Sequence, residues 1–336
     1  MSNPEVLAAQ VARSLQALVR RLPGGTGTVA DVRRLSGGAN QAIWSFDLLQ
    51  DSGPVGLILR CDHGVVSSTS SCIGLDDEAR VLMRAEAGGV PVPQVHCILE
   101  PADGLGRGFI MSRLAGETLG AKIVRDPSLA GARERLAWQC GEALARIHRI
   151  PLDGLPALRV APAREELETF EQRHRQRGTV KPVFSLAFQW LRRQAPALDG
   201  PPVLVHGDFR NGNLMVDENG LRAVLDWELV HLGDPMEDLG WLCVNSWRFG
   251  EPDKPVGGFG LREELFDGYR AGGGVVDAGR VRYWEMLGTL KWGIGCQTMA
   301  RIGEPDAPRS VERAAIGRRS SETEIDLMQL FASVRG

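Results

Sequence analysis

The chain has 336 residues, of which 43% are hydrophobic and 24% charged, a composition ordinary for a soluble globular protein. Its net charge of −3 gives no reason to expect nucleic acid or an anionic membrane as a partner, and no apolar stretch reaches the roughly 18 residues of a membrane span. Six scattered cysteines without a CxxC pair indicate reduced thiols in a cytoplasm and argue against a zinc site or a disulfide framework.

The first third of the chain combines strand patterns with two helices. The amphipathic opening, MSNPEVLAAQVARSLQALVRRLP, is capped by Asn3-Pro4 and predicts a helix rather than a signal peptide. Three strand-like runs follow up to residue 62, and then LDDEARVLMRAEAGG shows helical periodicity with a Gly-Gly stop. The segment from residue 90 to 116 predicts a hairpin that turns at Asp103-Gly104.

From Gly116 onward the helical pattern dominates, as in RERLAWQCGEALARIHRI, AREELETFEQRHRQRG, SLAFQWLRRQ, LREELFDGYR and RVRYWEMLGTLKWGIGCQTMARI. Strands first and helices later predict an α+β fold with segregated parts, and a length of 336 residues favours two lobes.

One stretch interrupts the helices, VLVHGDFRNGNLMVDENGLRAVLDWE from residue 203 to 228, which predicts a small strand-loop-strand unit. It sets Asp208, Asn213 and Asp226 at the ends of short apolar runs. Burying unpaired carboxylates is costly, so a cation, a substrate proton, or both must compensate their charge. For an isolated His-x-Asp the alternative is a turn-capping pair, which the offsets of Asn213 and Asp226 disfavour.

The residues HGDFRNGN resemble the H-G-D-x-x-x-x-N signature of the aminoglycoside phosphotransferase and choline-kinase-like family, small-molecule relatives of protein kinases. Downstream, LDWELVHLGDPMEDLGWL is most similar to the branch related to kinase-like domains fused to acyl-CoA dehydrogenases. The resemblance implies a two-lobe, protein-kinase-like α+β fold. An N-terminal nucleotide-binding lobe of antiparallel sheet and one helix would span residues 1–114, and a larger, mainly helical catalytic and substrate-binding lobe residues 115–336.

The resemblance also implies transfer of the γ-phosphoryl group of ATP, with GTP as the alternative, to a hydroxyl of a small molecule in the presence of Mg²⁺. Asp208 would be the base that accepts the hydroxyl proton. Asn213 and Asp226 would hold Mg²⁺, which prefers hard oxygen ligands. His206 and His148 are predicted to brace and pack the loop rather than to move protons.

The nucleotide would be held by residues of the first third. Gly37 and Gly38 form a turn whose backbone can approach phosphates closely, although most Gly-Gly turns are only hairpins. Arg60 stands where kinases carry a phosphate-binding lysine, and its guanidinium fork suits the same task. Glu78 is its predicted helix partner, with the neighbouring acidic residues 76 and 77, or a solvated helix face, as alternatives.

The adenine would meet the backbone of Met111, Ser112, Arg113 and Leu114 at the segment joining the two lobes. In the C-terminal lobe, Asp238 is expected to anchor a helix to the catalytic loop, and Asp234 to cap a turn. Several tryptophans in this half could wall an apolar pocket, although most such residues fill core.

The acceptor is the least determined part of the prediction. Residues 120–200 contain 14 Lys and Arg against 9 Asp and Glu, and residues 229–336 contain 13 against 16. Neither stretch resembles the acidic trap that a polycationic aminoglycoside needs, so an uncharged or anionic acceptor, such as a hydroxy acid or its thioester, fits better. The alternatives are an aminoglycoside or amino-alcohol kinase and, from another class, a nucleotide-binding pseudokinase, which the arginine at position 60 alone supports. The sequence gives no prediction of the oligomeric state.

Overall fold

The computed structural model describes residues 4–35, 42–62, 72–197, 200–300 and 311–334. The chain forms two compact units. Unit 1 comprises Met1–Gly116, Pro151–Leu158 and Arg222–Val230, and unit 2 comprises Glu117–Ile150, Arg159–Leu221 and His231–Gly336. Two short segments that come late in the sequence therefore belong to the N-terminal unit.

Unit 1 is built on a five-stranded antiparallel sheet with the strand order β1-β2-β3-β5-β4. Its strands are β1 (Thr28–Leu35), β2 (Ala42–Gln50), β3 (Gly53–Cys61), β4 (Val95–Ile98) and β5 (Gly108–Ser112). Helix α1 (Pro4–Ala17) packs on β1, and α2 (Leu75–Ala87) packs on β4 and β5. The opening helix, the three strands, the second helix and the hairpin were all predicted from the sequence.

The core of unit 1 lies between α1 and one face of the sheet. Val11 and Leu15 on the helix are buried together with Trp44, Phe46 and Leu59 on the strands. The end of β3 lies especially close to the start of β5, because a Cβ at Gly108 would lie 2.1 Å from the carbonyl oxygen of residue 60. Only glycine allows this approach, which fixes the end of β3 against β5.

Unit 2 is mainly helical. Its helices are α3 (Gly120–Arg125), α4 (Ala130–His148), α5 (Ala163–Gln176), α6 (Pro182–Gln194), α7 (Met236–Leu242), α8 (Arg262–Ala271), α9 (Ala278–Met299) and α10 (Val311–Val334). Short strands β6 (Val203–Val205) and β9 (His231–Gly233) pair antiparallel. Strand β7 (Leu214–Asp217) precedes β8 (Gly220–Val224), within which the boundary between the units falls.

The helices of unit 2 pack in two groups, α4 on α8 and α9 against α6, α7 and α10. The α4–α8 contact depends on backbone proximity. A Cβ at Gly141 would lie 2.1 Å from the Leu265 carbonyl oxygen, and one at Gly268 would lie 1.9 Å from the Trp138 carbonyl oxygen. Small residues at this crossing let the two helices approach without side chains between them.

The predicted fold class is confirmed, with an antiparallel sheet and helices first and a helical part afterwards. The periodicity of the sequence did not predict helices α3, α7 and α10, although the role expected for Asp238 implied a helix at α7. All seven residues of α7 are buried, so no polar face marks its periodicity. In the described ranges, no helix is both long and apolar enough to cross a membrane.

Candidate active site

The loop between β6 and β7 carries Asp208 and is held through its backbone. Asp238 on α7 accepts the N–H groups of His206 at 2.8 Å and of Gly207 at 2.9 Å. Its carboxylate also lies 3.1 Å from His148 Nε2. Although burial alone would raise it, the hydrogen bonds from the His148 side chain and the His206 backbone hold the pKa of Asp238 below its usual range. A buried, ionised carboxylate therefore fixes the turn from which Asp208 projects.

The two histidines near this loop have structural partners. His206 is fully buried, and its Nδ1 accepts the backbone N–H of Asp208 at 3.2 Å. His148 bridges Asp238 and the Tyr269 hydroxyl, which is 2.8 Å from its Nδ1. These contacts agree with bracing and packing roles for both histidines.

The Asp208 side chain is 14% exposed and accepts hydrogen bonds on both of its oxygens. Oδ1 accepts from Trp241 Nε1 at 2.8 Å and from Arg210 Nε at 3.0 Å. Oδ2 accepts from Asn213 Nδ2 at 2.6 Å, and the same nitrogen donates to the Asp208 carbonyl oxygen at 3.0 Å. Because the nitrogen of Asn213 makes both contacts, its amide oxygen is the atom left to act as a metal ligand.

A second group of predicted residues lies within unit 1. Arg60 Nη1 on β3 is 2.8 Å from Glu78 Oε1 on α2, and Arg60 Nη2 is 3.5 Å from Asp226 Oδ1. The two other acidic candidates on α2 pair elsewhere, since Asp76 contacts Arg107 and Asp77 contacts Arg80. The structure thus pairs Arg60 with Glu78, the partner expected from the sequence.

Burial dominates the electrostatics of this pair. The Glu78 side chain has no exposed surface, and burial raises its pKa to about 7 against the opposing effect of Arg60. Burial alone would lower the pKa of Arg60, but the charges of Glu78, Asp226 and Glu228 raise it above its usual range. A permanently charged guanidinium is therefore held among three acidic residues.

Asp226 has an unusual backbone conformation, with φ at +64°. Aspartate tolerates this left-handed region better than most residues do. Non-glycine residues in this conformation occur more often at functional sites than elsewhere. The Asp226 side chain is 39% exposed, so its carboxylate keeps a solvent-facing side in addition to its contact with Arg60. An accessible carboxylate oxygen of this kind suits Mg²⁺.

The remaining predicted nucleotide residues are less informative. Gly37 and Gly38 lie outside the described residues. At the end of β5, the N–H of Ser112 donates to the Gln94 carbonyl, and just beyond the strand the N–H of Arg113 donates to the Gly56 carbonyl. Met111 pairs with Ile58 on β3 and with Val95 on β4, so a role for Met111 to Leu114 in adenine binding stays a prediction.

The structure brings Asp208 and Asn213 together in unit 2 and, separately, Arg60, Glu78 and Asp226 in unit 1. Sequence reasoning missed the two partners of Asp208 Oδ1. The contact of Arg210 had a weak sequence signal, because this cation lies two residues after the Asp208 carboxylate in the same turn. Trp241 carried none, because 33 residues separate it from Asp208.

In unit 2 the described residues thus include a carboxylate oriented by three N–H donors, and in unit 1 they include a buried guanidinium paired with a glutamate. The chain belongs to the phosphotransferase enzyme family, whose family model matches residues 31–275.

Individual relatives agree with this assignment. The chain is 30% identical over 185 residues to acyl-CoA dehydrogenase family member 10 of Mus musculus, covering 52% of the chain and 17% of that protein. It is 29% identical over 238 residues to acyl-CoA dehydrogenase family member 11 of Gallus gallus, and the match covers 67% of the chain and 29% of that protein. The chain thus spans less than a third of the length of these relatives.

Solved structures share the fold over nearly the whole chain. A proposed aminoglycoside phosphotransferase from Ralstonia eutropha JMP134 has a TM-score of 0.74 at 19% identity, covering 96% of this chain and 98% of that one. An aminoglycoside phosphotransferase variant solved with AMP-PNP and hygromycin B has a TM-score of 0.62 at 18% identity, covering 95% and 99%. A choline/ethanolamine kinase family protein from Mesorhizobium loti also has a TM-score of 0.62 at 18% identity, covering 97% and 99%.

Proposed function

We propose that this protein is an ATP- and Mg²⁺-dependent phosphotransferase that moves the γ-phosphoryl group to a hydroxyl of a small molecule. The observation that carries the proposal is the carboxylate of Asp208, oriented by three N–H donors on a loop fixed by Asp238. Such a carboxylate can take the proton of an acceptor hydroxyl as that oxygen bonds to phosphorus.

The other residues have roles in binding and charge neutralisation. The amide oxygen of Asn213 in unit 2 and the half-exposed carboxylate of Asp226 in unit 1 are hard oxygen donors of the kind that Mg²⁺ prefers, and each would serve as a ligand of the ion. The bound ion would supply positive charge to the phosphate oxygens. Arg60, oriented by Glu78, would bind the nucleotide phosphates, and the backbone of Gly37 and Gly38 would cover them.

The acceptor we propose is an uncharged or anionic hydroxylated metabolite, such as a hydroxy acid or its thioester. Three indole rings near Asp208 already have cations against their faces, so they make a poor cage for an ammonium or aminoglycoside substrate. The pairs are Lys291 on Trp241 at 4.9 Å, Arg210 on Trp247 at 4.7 Å and Arg319 on Trp292 at 5.4 Å. GTP remains the alternative phosphoryl donor.

The decisive variant is Asp208→Asn, which keeps the shape of the side chain and removes the proton acceptor. Because general-base help contributes about 10²–10⁴-fold, turnover should fall by about that factor while MgATP binding persists. Asp217→Asn, at the last residue of β7, is the matched control and should behave like the wild type. A screen of hydroxylated metabolites for ATP consumption would supply the acceptor, and hydrolysis with water as nucleophile serves until then.

The competing function is a nucleotide-binding pseudokinase. It would bind nucleotide but show no Mg²⁺-dependent turnover with any acceptor, and its slow ATP hydrolysis would be absent or insensitive to EDTA. Near-normal turnover in a folded Asp208→Asn protein would instead show that this loop is not the catalytic centre.

A further inference from the structure

The two oxygens of the Asp208 carboxylate have different surroundings. A carboxylate oxygen offers about two lone-pair positions for hydrogen bonds. Oδ1 accepts from both Trp241 Nε1 and Arg210 Nε, at 2.8 and 3.0 Å, whereas Oδ2 accepts only from Asn213 Nδ2 among the described residues. Oδ1 is therefore fully engaged, and Oδ2 keeps one position for a further donor.

We propose that Trp241 is a positioning residue for phosphoryl transfer, whose indole N–H, together with Arg210, occupies Oδ1 and directs the acceptor hydroxyl to Oδ2. The inference rests on the proposed function of Asp208 as the base. The hydroxyl proton passes to Oδ2 while the acceptor oxygen bonds to the γ-phosphorus. The bond from that phosphorus to the β–γ bridging oxygen breaks, and ADP leaves with the electron pair.

Trp241 is rigidly placed for this role. Its side chain is 6% exposed and its ring packs edge-on to Trp247, with centroids 5.2 Å apart. Helix α9 presses on the other side, because a Cβ at Gly288 would lie 2.8 Å from Cε3 of the indole. The ring therefore cannot turn without moving a helix, and its N–H keeps a fixed direction.

Helix α7 consequently holds the catalytic loop twice. Asp238, in its first turn, accepts two backbone N–H groups of the loop, and Trp241, three residues later on the same helix, donates to the Asp208 side chain. Residues three apart lie on the same helix face. One short helix thus sets both the path of the loop and the rotamer of its carboxylate.

Trp241 and Arg210 contribute differently. The Arg210 side chain is 27% exposed and carries a charge, whereas the indole is buried and neutral. A neutral donor orients the carboxylate without cancelling the negative charge that attracts the hydroxyl proton. We therefore assign the orientation of Asp208 mainly to Trp241.

The first test examines the contact itself by NMR of the full chain. The eight tryptophans give eight indole N–H signals, and Trp241→Phe identifies one of them by its loss. Asp208→Ala should shift the Trp241 signal and leave the signal of Trp284 unchanged, since that indole donates to Asp234 at 2.8 Å. An unmoved Trp241 signal would overturn the proposal, and this test does not depend on how Trp241→Phe folds.

The second test compares two variants that each keep an aromatic ring and lose one indole N–H. Trp241→Phe should lower kcat for MgATP hydrolysis by about 10- to 100-fold, the range for a hydrogen bond to a charged group, with KM for ATP within about twofold of wild type. Trp190→Phe is the matched control, because this tryptophan lies on α6 with its ring packed edge-on to Phe331 of α10, and its kcat should stay within about twofold. Equal kcat values in the two variants would refute the positioning role.

The outcomes separate this inference from the proposed function. If Asp208→Asn abolishes turnover but Trp241→Phe does not, Asp208 is the base and Trp241 only packs. If Asp208→Asn retains wild-type turnover, the proposed function fails and the inference fails with it. If Trp241→Phe lowers kcat equally in the wild type and in the Asp208→Asn background, its effect does not act through Asp208.

Discussion

Replacing Arg60 by alanine should destabilise the protein in a strongly pH-dependent manner. The substitution leaves Glu78, which has no exposed side-chain surface, without the guanidinium 2.8 Å away. Removing one partner of a buried ion pair typically costs about 3–5 kcal/mol, because the remaining group must either stay charged without a partner or take up a proton. At pH 8 we expect a loss of that size in the free energy of unfolding.

The pH dependence follows from the pKa of Glu78, which burial raises to about 7 from its usual 4.5. A raised carboxyl pKa favours the folded state at low pH, and this contribution is lost as pH rises from 4.5 through 7. Without Arg60 the pKa rises further, so the carboxyl of the variant stays protonated at pH 8. At pH 8 the wild-type Glu78 is ionised, and this ionisation contributes roughly 1 kcal/mol to the stability of the wild type that the variant lacks. At pH 5.5 both carboxyls are protonated and this difference vanishes.

Urea unfolding at pH 5.5 and pH 8 measures the effect. The Arg60→Ala penalty should be smaller at pH 5.5 than at pH 8, by roughly 1 kcal/mol. Arg80→Ala is the control on the same helix, since Arg80 pairs with Asp77 at the surface, and it should cost no more than about 1 kcal/mol at either pH. A penalty for Arg60→Ala that is independent of pH, or larger at pH 5.5, would refute the reasoning.

Two further predictions concern metal binding and helix packing. Asp226→Ala should weaken binding of Mg-AMP-PNP by at least about tenfold in calorimetry while metal-free AMP-PNP binds almost as before, and equal Mg-dependent affinity would remove Asp226 from the metal site. Gly141→Ala should lower stability by about 1–3 kcal/mol and reduce the thermal midpoint, because its Cβ would lie 2.1 Å from a carbonyl oxygen of α8. Gly131→Ala, in the same helix with only the end of the Arg135 side chain 4.0 Å away, should raise the midpoint instead, and equal changes in both variants would contradict the packing argument.

The sequence predicted those elements whose pattern of apolar and polar residues shows which face is buried and where the element ends. Helix α2 has one buried face and a Gly-Gly end, and the β4–β5 hairpin turns at a glycine with φ of +68°, so both carry local signals. Helix α7 is buried on all sides and is only seven residues long, so its pattern cannot be told from a buried strand. Helix α7 is buried against α9, which is distant in sequence, so its burial could not be predicted from local pattern.

The contacts of the candidate site also divide into local ones, which the sequence predicts, and long-range ones, which it does not. The spacing of Asp208 and Asn213 is local, and their hydrogen bond follows from one turn of the chain. The sequence favoured Glu78 as the partner of Arg60 but kept its acidic neighbours as alternatives, because the pairing depends on which face of α2 is directed towards Arg60. The role of Trp241 as a hydrogen-bond donor to Asp208 depends on how α7 packs against the loop. No sequence spacing between a tryptophan and a carboxylate predicts such a hydrogen bond.

The divided composition of unit 1 affects how the chain folds during synthesis. Its last segment ends at Val230, and it supplies Asp226 to Arg60 and the Glu228 carbonyl to the N–H of Ile73. At roughly 5–20 residues per second, a ribosome needs roughly 6 to 23 s to add the 114 residues that lie between Gly116 and Val230. During that interval the N-terminal sheet is made but lacks its last segment, so a nascent chain is exposed to misassembly and to chaperones for longer than a contiguous domain would be. A stop codon anywhere before residue 222 would therefore release a chain whose first unit, and not only its second, is incomplete.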